Sequence, residues 1–112
     1  MSGDNRARLN LGFLNFYLGD LERVARANGY ALAIHGSLVK DIDLLAVPWV
    51  DDAAQPDALA DALRSELGGH FATNIHGDPQ PEGDRPHGRR SWSIAGDCIP
   101  TWVDLSIFPP GR

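Results

Sequence analysis

The sequence is poor in several things, and each shortage excludes a class of protein. There is one cysteine, Cys98, in 112 residues. That rules out an intrachain disulfide and a paired-cysteine zinc site; the thiol reads as a small half-buried side chain beside a turn. No apolar run approaches the roughly 20 residues of a membrane span. The opening MSGDNRARLNLG lacks the apolar stretch of a secretion signal. The expectation is a soluble cytoplasmic protein with no membrane partner. Basic residues are also short, 10 Lys+Arg against 15 Asp+Glu, giving a net charge of −5. A protein that coats nucleic acid by bulk electrostatics needs a basic face, so that function is disfavoured.

What is present describes one small globular domain. Hydrophobic residues make up 43% of the chain and charged residues 22%, enough for one modest core. Residues 1–8 are polar and read as a flexible lead-in, leaving 9–112 as a single domain. From Leu9 to Asn28, Leu14, Tyr17, Leu18, Leu21, Val24 and Ala25 recur at three- and four-residue steps, the stripe of an amphipathic helix. Gly19 marks a possible break, and Asn28-Gly29 a stop. Strands are predicted at Tyr30–His35 and from Ile42 to Val47, closed by Pro48. A second helix runs from Pro56 to Leu67 and ends at Gly68-Gly69. His70–His76 is a weak strand candidate, and Gly77–Gly88, with three prolines and three glycines, a mobile surface loop. Arg89–Ala95 and Thr101–Phe108 alternate and are close enough to pair as a hairpin. The order predicts an α+β fold, a small mixed sheet of four or five strands with two helices on one face.

The chemistry concentrates in HGSLVKDIDL, residues 35–44. Side chains alternate along a strand, so Asp41 and Asp43 share a face while Ile42 and Leu44 face the core. Carboxylates about 7 Å apart on one face repel unless a cation or basic group lies between them. Hard divalent cations such as Mg²⁺ prefer oxygen ligands and share them with substrate phosphates. Gly36 and Ser37 precede the pair, where glycine permits close backbone approach and the serine hydroxyl can donate to phosphate. Asp104 stands alone among apolar neighbours in WVDLS. On a strand beside Asp41 and Asp43 it would complete a set of three carboxylates, enough for two cations. Taken alone, the Asp-x-Asp pair reads as solvated surface; the Gly-Ser turn and Asp104 are what point to a site.

An apolar residue followed by Gly-Ser, then Asp-x-Asp, then a third strand Asp resembles the polymerase-beta-like nucleotidyltransferase superfamily, in its minimal and short phage-type members. The resemblance covers Tyr30–Val47 and, more loosely, Thr101–Phe108. It implies transfer of a nucleotide from a nucleoside triphosphate to an acceptor hydroxyl with Mg²⁺ or Mn²⁺. The acceptor is an RNA, a protein or a small molecule. Gly36 and Ser37 would contact the triphosphate, Asp41 and Asp43 bind both metals, and Asp104 bind the catalytic metal and polarise the acceptor. Lys40, Arg89 and Arg90 are further phosphate-binding candidates. Two departures stand out. Only Leu38, Val39 and Lys40 separate Ser37 from Asp41, where the family has a longer insert with a helical turn. These residues show no counterpart of the helical domain that usually binds the acceptor; the resemblance then implies that a homodimer or partner protein supplies that site, or that there is none. The alternative is an inert nucleotide- or protein-binding domain of the same fold, such as a phage accessory or host-interaction factor. His35 is either a substrate contact or structural, and Trp49, Trp92 and Trp102 either stack on a base or fill the core.

Overall fold

The computed structural model describes residues 3–72 and 88–110. Two helices and five strands follow in the order α1 (Gly3–Ala27), β1 (Tyr30–His35), β2 (Ile42–Pro48), α2 (Pro56–Leu67), β3 (His70–Phe71), β4 (Arg90–Ala95) and β5 (Val103–Ile107). The sheet order is β1-β2-β5-β4-β3. β2 and β5 run parallel and all other neighbours antiparallel, so the sheet is mixed. The fold is α+β, with the helices packed against the sheet.

Alternation along the strands separates two faces. Ile42, Leu44, Ala46, Trp92, Ile94, Val103, Leu105 and Ile107 are all buried. They pack with Phe13, Leu14, Leu21 and Ala25 of α1 and Leu59, Ala60, Leu63 and Leu67 of α2 in one cluster. Both helices therefore cover the same face. The intervening residues, Asp43, Leu45, Ser91, Ser93, Asp104 and Ser106, are only half-buried on the other, open face.

Local chemistry explains the boundaries. Pro56 opens α2, where its missing N–H costs nothing. Gly68 closes the helix in a left-handed conformation, and the Gly68 and Gly69 amides return to carbonyls of the last turn. α1 differs from the sequence reading at its start. It begins at Gly3, so residues 3–8 of the polar lead-in are helical, and it passes Gly19 unbroken. Nothing lies within 4 Å of a Cβ built at Gly19, so no packing demand selects the glycine there. Of the expected strand His70–His76, His70–Phe71 form β3; positions 73–76 lie outside the described residues, as does the expected loop up to position 87. Cys98 is exposed on its turn rather than half-buried.

Candidate active site

Strand register puts four polar residues in one row across the open face. His35 of β1 pairs with Asp43 of β2, Asp43 with Asp104 of β5, and Asp104 with Ser93 of β4. Neighbouring strands lie about 4.8 Å apart, so each side chain is in reach of the next. Ser93 donates its hydroxyl hydrogen to Asp104 Oδ1 at 2.8 Å, which fixes that carboxylate. Asp41 lies one residue ahead of β2, and the Ile42 amide is bonded to the Trp102 carbonyl at 3.0 Å. That bond ties the entries of the two acidic strands together.

The electrostatics show that the carboxyls act on one another. Asp41 is held above the ordinary carboxylate value by burial, by the charge of Asp104, by a hydrogen bond with that carboxyl and by Asp43; Lys40 opposes the shift. Asp43 is raised by burial and by Asp104, and His35 opposes the shift. Each favours its neutral form more than a free carboxylate does, first because burial disfavours its charge and then because its neighbours are negative.

Two clefts meet at Asp41. One, of about 520 Å³, is lined by Gly36, Ser37, Val39, Lys40, Asp41 and Asp43. The other, of about 340 Å³, is lined by Asp41, Ala72, Ser93, Trp102 and Asp104. The six-residue turn bounding the first has no helical turn, in keeping with its short spacing. It is held instead by two left-handed residues, Gly36 at φ 80° and Leu38 at φ 63°. Gly36 is demanded twice over, because a Cβ there would stand 2.5 Å from Asp43 Oδ2. Leu38 is unusual in this conformation and needs support from outside the turn.

That support comes from Asn10, which the sequence reading missed. Asn10 is the one fully buried polar side chain among the described residues, 0% exposed. Its amide donates to the Leu38 carbonyl at 2.7 Å, and its Oδ1 accepts from the Thr101 hydroxyl at 3.0 Å. One α1 side chain thus joins the Gly-Ser turn to the segment that carries Trp102 and Asp104. The available signal is weak, since Asn10 and Asn15 both stand between apolar residues of the predicted helix.

The structure brings Gly36, Ser37, Lys40, Asp41, Asp43 and Asp104 together, but not the arginines. Arg90 shares the helix-covered face with Trp92 and Ile94; its guanidinium stacks over the Trp92 ring at 5.2 Å and approaches Asp57 at 3.9 Å. Arg90 pairs with Ile107, three residue pairs along the hairpin from Asp104, or about 10 Å. Arg89 lies further along still, half-buried, with its Nε lacking a hydrogen-bond partner. Of the tryptophans, Trp92 is core, Trp49 lines a separate cleft beside Gly29, and Trp102, 44% exposed, lines the Asp104 cleft.

Among the described residues no three His, Cys, Asp or Glu side chains form a group that could hold a metal ion by themselves. The donors at this site are all carboxylates, interacting in pairs. That set suits a hard cation bound by one or two carboxylates and completed by phosphate and water, the usual manner of Mg²⁺. It does not suit an ion caged by protein alone. The chain matches no family model, no curated protein and no solved structure.

Proposed function

We propose that the protein is a minimal metal-dependent nucleotidyltransferase. It would move a nucleotide from a nucleoside triphosphate to an acceptor hydroxyl and release pyrophosphate. The observation that carries this reading is the Asp43–Asp104–Ser93 row, with the Gly36-Ser37 turn against Asp43. The larger cleft suits the triphosphate. Gly36 lets the backbone approach, and Ser37 and Lys40 supply donors to phosphate oxygens. The smaller cleft suits the acceptor, against the exposed Trp102. Asp104, oriented by Ser93, would take the proton of the acceptor hydroxyl as its oxygen bonds to the α-phosphorus and the bond to pyrophosphate breaks. A divalent cation shared by Asp43, Asp104 and the phosphates would supply charge neutralisation on the reacting oxygens. Asp41, between the clefts, would complete the acidic surface facing that cation.

That no three-residue metal group forms among the described residues favours one other reading, an inert domain of the same fold that binds a nucleotide or a protein. Pyrophosphate release from each of the four ribonucleoside triphosphates, with Mg²⁺ or Mn²⁺ and with RNA and protein acceptors, separates the two. The expected result is release with at least one triphosphate and its loss, by about a hundredfold or more, in Asp104→Asn with folding unchanged. No release by the unaltered protein under any of these conditions supports the inert domain.

A further inference from the structure

The two edges of the sheet are unlike. Among the described residues β3 forms one edge with two residues. β1 forms the other with six, and among the described residues no strand pairs with its outer side. An open edge presents unpaired N–H and C=O groups, and proteins normally guard it with Lys, Pro, a bulge or brevity. Tyr30–His35 has none of these. It carries no Lys, Arg, Asp, Glu or Pro, and its register with β2 runs unbroken from Tyr30↔Pro48 to His35↔Asp43. The surroundings are apolar. Ile34 is 39% exposed and Val47 44%, while Ala31 and Ala33 are exposed on the open face.

We propose that β1 pairs antiparallel with β1 of a second copy, joining the two sheets into one across a two-fold axis. Alternation restricts the register, because residues directly opposite each other must share a face. Placing Ala33 opposite its own copy satisfies this. Leu32 then meets Ile34 of the other copy on the helix-covered face, removing exposed Ile34 from water, and the two Ala33 methyls meet on the open face without crowding. Self-pairing is favoured over an unrelated peptide by the complementary groups at the strand ends, an imidazole at one and two carboxylates beside the other. His35 ends β1, while the acidic turn at Asp51 and Asp52 adjoins its start, where the Ala54 amide is bonded to the Asn28 carbonyl at 2.9 Å. Antiparallel pairing about a two-fold sets the His35 end of each copy toward the acidic turn of the other. The proposal is independent of nucleotide transfer.

Sedimentation equilibrium of the full chain up to about 200 μM tests it, a range in which a weak isologous strand pair with a micromolar Kd is populated. The expected mass approaches twice the 12.2 kDa of the chain. Ala33→Lys puts two ammonium groups face to face near the axis, roughly 5 Å apart at Cβ, and should return the monomer mass with an unchanged circular dichroism spectrum. In a Cys98→Ser background, Ala33→Cys should oxidise to a disulfide-linked dimer, since opposed strand residues lie within disulfide reach. A monomer at every concentration, a dimer indifferent to Ala33→Lys, or failure of Ala33→Cys to cross-link would each overturn the proposal.

Discussion

The two faces of the sheet are made from the same strands, one residue apart, and differ in almost every respect. On the helix-covered face, Leu44 and Leu105 are 1% exposed and packed into one cluster with both helices. On the open face, Asp43 and Asp104 are half-buried, mutually repelling and bordered by clefts. Burial of the first face stabilises the fold, and gathering carboxylates on the second costs part of that stability. A residue that contributes nothing to folding, or opposes it, needs another reason to be there. That asymmetry is the physical basis for assigning chemistry to the open face.

Substitutions on the two faces should therefore move stability in opposite directions. Leu105→Ala leaves a cavity under both helices and should cost about 3 kcal/mol in denaturant unfolding. Asn10→Ala strips two hydrogen bonds from a buried bridge and leaves the Leu38 carbonyl and Thr101 hydroxyl without their partner. It should cost about 2 kcal/mol, and amide exchange should rise at both Leu38–Asp41 and Thr101–Val103. A rise confined to α1 would sever the link between the two halves of the site.

The smallest effect has the opposite sign. Asp41 and Asp43 in the folded protein bind their protons more tightly than in the unfolded chain. Folding is therefore favoured as pH falls from neutral through the window just above the ordinary carboxylate value, and this contribution is lost as pH rises through it. Asp41→Asn/Asp43→Asn should raise the melting temperature at pH 7 by about 2–4 °C and flatten its dependence on pH in that window. A lower melting temperature, or an unchanged slope, would show that the carboxylates are not in conflict.

Much of this comparison was legible in the residues, for reasons that also mark the limit. β1 and α2 fall at Tyr30–His35 and Pro56–Leu67, as read, because glycine, proline and periodicity punctuate them. The open-face position of Asp43 follows from alternation alone, whereas Asp41 lies one residue ahead of β2 and meets it at the larger cleft. The parallel register that sets Asp43 opposite Asp104 does not follow from alternation, since 60 intervening residues carry no local signal of pairing. Asn10 was hidden because its partners, Leu38 and Thr101, are 28 and 91 residues away. Charge alone groups Arg90 with phosphate contacts, but its parity with Trp92 and Ile94 assigns it to the other face. The polar row across the open face became visible only once the strand order was known.

The most direct test of that face is a thermal melt with Mn²⁺ and a nonhydrolysable nucleoside triphosphate, added singly and together. Carboxylates arranged in pairs should bind the ion weakly alone and well when a phosphate completes its shell, and a ligand held only by the folded state stabilises it by mass action. The expected result is a shift of about 1 °C or less with Mn²⁺ alone and about 5 °C or more with both, abolished in Asp43→Asn/Asp104→Asn. No shift with both ligands present, or the same shift in that double variant, would contradict the assignment of the open face to nucleotide chemistry.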